Sequence, residues 1–481
     1  MNPRSFDVIV VGNGVIGLSV ALAIAEEQPS ASIAVVGPSN RPFGATPAAG
    51  AMLGCFGEVT TTTLGSPYGR RKFELALAAR KMWPAWFDRM GAEPSQIMTT
   101  KETVVLLNTV GFSEVDSANF AAIRQALREA GEPYEEIAVE DIEWLVSDSN
   151  ARPLRALRLP DEGAVDTAAL LTTLTTALEK RGVTFIHEAA TGLRVRSGRA
   201  EGVQLADSVV TAGTVVVAAG AASEPLIRSV PELTYRVPKV IGGCGVSVLV
   251  DTADGTVPPY VLRTPNRAFA CGLHVLPRSA GTVYVGATNE VTFDPRQEVT
   301  ISEFIFLTDC AVRQIRRDLN SGHIRQIQIG NRPMSIDGWP LIGATSLDGL
   351  WIVTGTYRDG LHLSPLLARH IAKQISGDAG LAGLEEFRPE REPISAPSRA
   401  EVLDEVVRHT LATGFEGPWF VNPDWPPAIG KFARTSFERL LDELGGAYLP
   451  PPEVMSVLLK STDDDVARLR SYYEAVHAAW H

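Results

Sequence analysis

Residues 6–17 read Phe-Asp-Val-Ile-Val-Val-Gly-Asn-Gly-Val-Ile-Gly. The first six residues form a largely β-branched run with the length of a strand that is buried on both faces. A helix-compatible stretch and a second β-branched run at 32–36 follow the glycines. The order strand, turn, helix, strand predicts a dinucleotide-binding unit. In such a unit Gly12 permits the tight turn, Gly14 lets a pyrophosphate approach the backbone, and Gly17 lets the helix pack closely on the strand.

The second strand of this unit ends without the acidic residue that usually bonds a ribose. Gly37 stands at that position, and Ser39 or Asn40 can donate or accept a hydrogen bond there instead. The alternative left open is a degenerate unit that binds no nucleotide.

Length and composition exclude several classes of protein. A chain of 481 residues is too long for one hydrophobic core, and 45% hydrophobic with 21% charged residues is typical of a folded globular protein. The 44 basic and 56 acidic residues give a net charge of −12, which disfavours nucleic acid and anionic membranes as partners. The four cysteines are far apart in sequence, which predicts no zinc site, no disulfide framework and a cytoplasmic location: Cys55, Cys244, Cys271 and Cys310.

The uncharged run 8–25 is about as long as a minimal membrane helix. Three glycines and Asn13 interrupt it, and it passes directly into Glu26 and Glu27. The sequence therefore predicts neither a membrane segment nor an export signal.

A loop of small residues at 44–54, Gly-Ala-Thr-Pro-Ala-Ala-Gly-Ala-Met-Leu-Gly, would let the backbone approach a flat ring. Together with the N-terminal motif it resembles the D-amino acid oxidase family of FAD enzymes, and within it the glycine oxidase branch. Residues 330–343 resemble the family signature Gly-x-Arg-Pro-x-x-x-Asp-Gly-x-Pro-x-Ile-Gly. Residues 350–365 resemble its Gly-His-Tyr/Phe-Arg-Asn-Gly loop, with Thr356 in place of the histidine and Asp359 in place of the asparagine.

This resemblance covers about residues 5–385 and implies an α/β fold. It implies a Rossmann-like FAD-binding domain with an inserted mixed-sheet substrate domain, followed by a C-terminal helical extension. The expected boundaries are 1–85, 150–232 and 330–386 for the FAD-binding domain, 86–149 and 233–329 for the substrate domain, and 387–481 for the extension.

The extension lies beyond the resemblance. Helical spacing predicts helices at 400–413, 435–445 and 466–480, and Trp419, Phe420 and Trp425 suggest a packed irregular segment between the first two. Two interpretations stay open. The extension either covers the pocket or forms a subunit contact in a homo-oligomer, or it is a helical brace on the FAD-binding domain.

The resemblance implies FAD as cofactor, bound noncovalently. The cysteine that carries flavin in sarcosine oxidases has no counterpart near 330–343, and Cys55 is expected to be a buried thiol. The residues expected around FAD are Gly12, Asn13, Gly14, Val15, Ile16, Gly17, Ser39, Thr46, Ala48, Ala49, Gly50, Met52, Leu53, Thr191, Ala219, Gly220, Gly355, Tyr357, Arg358, Asp359, Gly360 and Leu361.

Four residues are candidates for the reaction itself. The resemblance makes Arg332 the clamp for a substrate carboxylate, for which a planar guanidinium is suited. His274 stands where the family has a tyrosine beside that carboxylate, and it is either a donor or base there or a core histidine. Arg358 is expected to support the substrate or the reduced flavin. Asn289 either bonds a polar part of the substrate or is a turn residue.

The implied reaction is oxidation of the Cα–N bond of a small amino acid or N-substituted glycine. Hydride passes to flavin N5, the imine hydrolyses to an oxo acid and an amine, and O2 reoxidises the flavin to give H2O2. A dehydrogenase that uses another electron acceptor and a noncatalytic flavin-binding protein are the alternatives.

Overall fold

The structure is a computed structural model that describes residues 4–267, 270–417, 425–460 and 462–481. The strands in chain order are β1 (Arg4–Val11), β2 (Ile33–Val36), β3 (Met52–Leu53), β4 (Met98–Thr100), β5 (Thr103–Asn108), β6 (Glu135–Ile137), β7 (Pro153–Leu159), β8 (Gly163–Val165), β9 (Thr184–Ile186), β10 (Gly192–Arg196), β11 (Arg199–Gln204), β12 (Val209–Val217), β13 (Val240–Asp251), β14 (Val261–Arg263), β15 (His274–Pro277), β16 (Val283–Gly286), β17 (Glu290–Thr292), β18 (His323–Ser335), β19 (Leu341–Ala344) and β20 (Leu350–Thr354). The α-helices are α1 (Val15–Glu27), α2 (Pro67–Met90), α3 (Ser113–Ala130), α4 (Thr167–Glu179), α5 (Ser223–Arg228), α6 (Ile301–Gln314), α7 (Gly360–Ile375), α8 (Arg399–Glu416), α9 (Trp425–Leu444), α10 (Pro452–Leu458) and α11 (Asp463–Trp480).

The first sheet, called the parallel sheet here, is built around β1. Strands β9, β2, β1, β12 and β20 run parallel, while β10, β11 and β19 add antiparallel edges. Val8 and Val10 face one hydrophobic cluster, and Ile9 and Val11 face another on the opposite side. Successive side chains of a strand point to opposite faces, so this run of four apolar residues predicts burial on both sides, as found.

Helices α1, α2, α4 and α7 cover one face of the parallel sheet. The starts of α2 and α4 follow ordinary capping chemistry. Asp166 accepts hydrogen bonds from the N–H groups of Ala168 and Ala169, both at 2.9 Å, and so begins α4. Among the described residues, no helix has both the length and the apolar character needed to cross a membrane.

The second sheet, called the mixed sheet here, has the order β17-β13-β16-β15-β14-β5-β7-β6, with β18 also paired to β13. Only the β5–β14 pair is parallel. A small third sheet has the order β3-β8-β4. In the chain, β3 and β4 lie between β2 of the parallel sheet and β5 of the mixed sheet, and β8 lies between β7 and β9. This arrangement confirms the predicted fold class, a Rossmann-like domain with an inserted mixed-sheet domain.

Three predicted domain boundaries differ from the observed elements. Strand β7 lies in the mixed sheet, although 150–232 was assigned to the FAD-binding domain, because β5 and β7 pair over six positions. Strand β18 carries 330–335 into the mixed sheet for the same reason, through its long ladder with β13. Helix α2 continues through the expected boundary at 85.

Helices α8 to α11 form the predicted extension and pack with β13, β17, β18 and Tyr357 in one hydrophobic cluster. A buried ion pair holds the segment that leads into α8: Arg391 Nη2 lies 2.9 Å from Asp337 Oδ2. Trp425 was predicted in a packed irregular segment, but it begins α9 and 58% of its surface is exposed. Trp419 and Phe420 lie outside the described residues.

Candidate functional site

A long cleft opens at the carboxyl end of β1, where the glycine-rich turn enters α1. Gly12 has a φ of +117°, and a Cβ there would lie 2.2 Å from the carbonyl oxygen of Ala218. A Cβ on Gly17 would lie 1.9 Å from the carbonyl oxygen of Gly12. The backbone of the turn and the first helical turn therefore pass so close that only glycine fits at both positions.

The cleft collects most of the residues expected around a cofactor. Those that line it are Gly12, Asn13, Gly14, Val15, Ile16, Thr46, Ala49, Ala219, Gly220, Tyr357, Arg358, Gly360 and Leu361. Those expected there that do not line it are Gly17, Ser39, Ala48, Gly50, Met52, Leu53, Thr191, Gly355 and Asp359. Of the latter, Thr191 donates a hydrogen bond from its hydroxyl to the carbonyl oxygen of Gln204.

The side chain of Asn13 packs closely against Gly37, the residue that follows β2. A Cβ at this position would lie 2.8 Å from Cγ of Asn13, whose amide donates to the carbonyl oxygen of Pro38 at 2.9 Å. The side chain of Asn13 thus fills the space next to Gly37. Arg41 also lines the cleft and donates from Nε to the carbonyl oxygen of Asn13 at 2.8 Å. The sequence analysis did not single out Arg41, since no local motif marks it.

The small-residue loop at 44–54 is fixed from the mixed sheet. The carbonyl oxygen of Ala48 accepts hydrogen bonds from Tyr284 Oη at 3.0 Å and Ser247 Oγ at 3.1 Å. Gly50 packs against His274, because a Cβ on Gly50 would lie 2.8 Å from Nε2 of that ring. The loop is therefore held at the junction of the two large sheets.

Arg332 lies on β18 and lines the cleft. Its Nη1 contacts only uncharged oxygens: the carbonyls of Thr288 at 3.3 Å and Gly243 at 3.5 Å, and Oδ1 of Asn289 at 3.3 Å. Gly245 makes the room, since a Cβ there would lie 2.3 Å from Nη1. Among the described residues no carboxylate pairs with this guanidinium. Within the described part of the chain, Arg332 is therefore a cation without a counter-charge.

Asn289 connects Arg332 to Tyr357, because its amide nitrogen also donates to the tyrosine hydroxyl. Tyr357 has a φ of +51°, and its N–H donates to the carbonyl oxygen of Pro333 at 2.6 Å. Burial raises the pKa of Tyr357, so it keeps its proton. Asn289 thus positions Arg332 rather than lying in the cleft.

Arg358 belongs to a second polar cluster with Glu58, Arg263 and Cys271. Glu58 lies 2.6 Å from Nη1 of Arg263 and 3.6 Å from Nη1 of Arg358, which also donates to the Cys271 sulfur at 3.4 Å. Burial alone would raise the pKa of Glu58, but the two guanidinium groups outweigh it and hold that pKa well below the ordinary value. Glu58 was not expected from the sequence, because its partners lie more than 200 residues away.

His274 is buried on β15, stacked on Tyr284, with Nδ1 3.0 Å from the carbonyl oxygen of Gly272. Burial lowers the pKa of His274 to about 4. The ring is therefore neutral near pH 7. It does not line the cleft.

Two acidic residues near the site have defined structural partners. Asp359 pairs with Nζ of Lys72 at 2.7 Å. Glu162, buried between β7 and β8, accepts hydrogen bonds from the N–H groups of Cys55 at 2.7 Å, Phe56 at 2.6 Å and Gly57 at 3.0 Å. Glu162 thereby holds the turn that presents Glu58.

The cleft fits a flavin dinucleotide on its own geometry. Its floor is the glycine-rich turn at the N-terminus of α1, where helix N–H groups favour a phosphate. It continues between small residues to the 46–49 loop, Tyr357 and Arg332. Burial raises the pKa of Cys55, which makes that buried thiol unreactive, in keeping with a noncovalent cofactor.

Comparison with known proteins agrees with this geometry. The family model "FAD dependent oxidoreductase" matches residues 7–374. The chain is 27% identical to the glycine oxidase of Pseudomonas aeruginosa over 384 residues, which cover 77% of this chain and 94% of that relative. It is similar in fold to the crystal structure of glycine oxidase from Geobacillus kaustophilus, with a TM-score of 0.65, 23% identity and coverage of 81% and 99% of the two chains. Iminodiacetate oxidase from Chelativorans sp. has the same fold, with a TM-score of 0.66, 19% identity and coverage of 79% and 98%. The family match ends before α8.

Proposed function

Because the chain belongs to the FAD dependent oxidoreductase family, we propose that it oxidises the Cα–N bond of a small amino acid or an N-substituted glycine. The enzyme is an FAD-dependent amino acid oxidoreductase that binds its cofactor noncovalently. The proposed products are an oxo acid and an amine.

The observation that carries this proposal is the unpaired guanidinium of Arg332. A cation at the end of a cofactor cleft, held by neutral oxygens alone, is suited to bind an anionic group of a ligand. A carboxylate fits, since its two oxygens match the two N–H directions of a guanidinium. The negative charge of the ligand would then balance the positive charge of Arg332.

Arg332 acts by positioning in this proposal. When bound, FAD supplies the acceptor for the two electrons that leave the α-carbon with its hydrogen. The chain has to hold that carbon about 3 to 3.5 Å from the acceptor atom, which a clamped carboxylate achieves. Asn289 limits the movement of Arg332 by bonding both it and Tyr357. Water then adds to the substrate imine, and the C–N bond breaks to release the amine.

Arg358 and His274 have different proposed roles. Arg358 shares one carboxylate, Glu58, with Arg263, so the cluster keeps a positive charge beside the cleft. That charge favours an anionic group on the substrate or on the reduced cofactor. A neutral His274 has a single N–H, which donates from Nδ1 to the carbonyl oxygen of Gly272 at 3.0 Å, so His274 adds neither a charge nor a further donor to the site.

The proposed electron acceptor is O2, which would leave as H2O2. A protein or quinone acceptor is the second candidate, and measurement of peroxide separates the two. One peroxide per amine oxidised would support an oxidase, whereas reduced flavin that persists in air would support a dehydrogenase.

The substrate assignment is tested by adding glycine, sarcosine and larger N-substituted glycines to the holoenzyme without oxygen. Loss of the visible flavin absorbance is expected with at least one of them. Arg332→Ala is expected to lower the rate constant at subsaturating substrate by about 100-fold or more, which corresponds to about 3 kcal/mol for a charge-assisted pair. Arg332→Lys should retain part of the rate.

Arg325→Ala is the matched control, because Arg325 lies on the same strand but is 64% exposed and pairs with Asp251 at the surface. It should oxidise the substrate at the parental rate. An Arg332→Ala enzyme that matches the control at low substrate would exclude the carboxylate clamp.

A further inference from the structure

Arg41 is a half-buried cation that projects into the cofactor cleft. It follows β2 by a short turn and has a φ of +43°, in the left-handed region that a non-glycine residue adopts only when its surroundings hold it there. The hydrogen bond from Nε to the carbonyl oxygen of Asn13 fixes the guanidinium beside the glycine-rich turn. The chain therefore positions this side chain with respect to Gly14, which caps α1.

The charge of Arg41 has no partner in the described part of the chain. No carboxylate lies within ion-pair distance, and its two terminal nitrogens have no hydrogen-bond acceptor among the described residues. Burial lowers the pKa of Arg41 without an acidic neighbour to raise it again. A guanidinium still stays protonated near neutral pH, so its cost of burial is uncompensated until an anion enters the cleft.

The space beside Gly37, where such a unit usually carries an acidic residue, is occupied by Asn13. A Cβ at Gly37 would lie 2.8 Å from Cγ of Asn13, so an acidic side chain there would require the Asn13 side chain to move. The usual contact between a carboxylate at this position and a ribose is therefore not available in this packing. In its place the chain presents the guanidinium of Arg41, whose Nε bonds the carbonyl oxygen of Asn13, the residue before the N-cap of α1.

We propose that Arg41 binds the diphosphate of the cofactor and takes over the anchoring that a ribose-binding carboxylate supplies elsewhere. Its two terminal nitrogens suit a bidentate contact with phosphate oxygens, and the N-terminus of α1 adds favourable N–H groups on the same side. The inference rests on FAD as the cofactor, but not on the identity of the amine substrate.

The test compares the FAD dissociation constants of the full-length enzyme and of two variants, from the rise in flavin fluorescence on dilution of the holoenzyme. Arg41→Gln is expected to weaken FAD binding by about 10- to 100-fold, the range for loss of one hydrogen-bonded charge. Arg41→Lys should weaken it less, since the charge remains. The parent should also lose affinity more steeply with added salt than Arg41→Gln.

A second measurement separates a phosphate contact from support of the turn through Asn13. ADP and adenosine are titrated into flavin-free full-length protein. Arg41→Gln should lose affinity for ADP but bind adenosine as the parent does. Equal losses for both ligands would overturn the proposal, because Arg41 would then act only on the shape of the cleft.

Arg196→Ala is the control, because Arg196 is exposed on β10 away from the cleft. It should keep the parental affinities. Unchanged FAD and ADP binding in Arg41→Gln would also overturn the proposal. These assays contain no amine substrate, so their outcome is independent of whether the proposed substrate class is right.

Discussion

Substitution of Glu162 by glutamine tests how the turn at Phe56–Glu58 is held. Glu162 is 3% exposed, and its two carboxylate oxygens accept three backbone N–H bonds at 2.6 to 3.0 Å. Oε1 serves Cys55 and Phe56, while Oε2 serves Gly57. In Glu162→Gln the amide oxygen is able to keep the first two bonds, but the amide nitrogen then faces the Gly57 N–H.

The expected loss of stability follows from the number of hydrogen bonds that Glu162 accepts. Glu162→Gln loses one hydrogen bond to a charged acceptor and leaves a buried donor without a partner, at a cost of about 1.5 to 3 kcal/mol. Glu162→Ala leaves three buried N–H groups unpaired at roughly 1 to 3 kcal/mol each, a sum comparable with the stability of a whole domain. The alanine variant is therefore expected to fold poorly, and glutamine is the informative change.

The assay is urea unfolding of the holoenzyme, followed by tryptophan fluorescence and by flavin release. Asp161→Asn is the matched control, because it makes the same chemical change at the adjacent exposed residue, and it should alter stability by less than about 0.5 kcal/mol. If Glu162→Gln unfolds at the same urea concentration as Asp161→Asn, the carboxylate does not hold the turn and the reasoning is refuted.

Two further substitutions test the extension. Burial, aided by the Glu453 charge, raises the pKa of Glu405 from 4.5 to about 7. Between these pH values the folded chain binds a proton that the unfolded chain has lost, so stability falls as pH rises through this window. Glu405→Gln should remove up to about 3 kcal/mol of this fall in the free energy of unfolding, measured from urea midpoints at pH 5 and pH 8. The exposed control is Glu443→Gln. If the stability of Glu405→Gln changes with pH as much as that of the control, the prediction is contradicted. Arg391→Met leaves the Asp337 carboxylate buried and unpaired and should cost about 3 to 5 kcal/mol. Urea unfolding of the single variant and of Arg391→Met/Asp337→Leu measures this, and a double variant no more stable than the single one would refute it.

Much of the fold was predictable because it depends on local patterns. The alternation of buried faces along β1 and the close contact between Gly12 and Gly17 are properties of a few consecutive residues. The cap of α4 at Asp166 is another local property. The predicted helices of the extension were found for the same reason: α8 and α11 cover the expected segments 400–413 and 466–480. Helix α9 overlaps the expected segment 435–445 but begins earlier, at Trp425. The seven-residue α10 is too short for helical periodicity to be recognised.

The site was predictable only in part. Arg332 and Tyr357 stand in recognisable motifs, and both line the cleft. Asn289 was considered as a substrate contact, but the structure places it between those two side chains. Glu58 belongs to no motif, and its partners Arg263 and Arg358 are distant from it in sequence.

The sequence by itself determined the parallel sheet, the glycine-rich turn and the family, because backbone conformation and strand burial are encoded by neighbouring residues. Only the tertiary structure decided that Asn13 fills the space beside Gly37, that Arg41 is a cation without an ion-pair partner among the described residues, and that β7 belongs to the mixed sheet. These facts depend on which charges and strands meet across tens to hundreds of residues. Whether a charged side chain has a partner of opposite charge depends on residues that are distant in sequence. A local sequence pattern therefore cannot predict it.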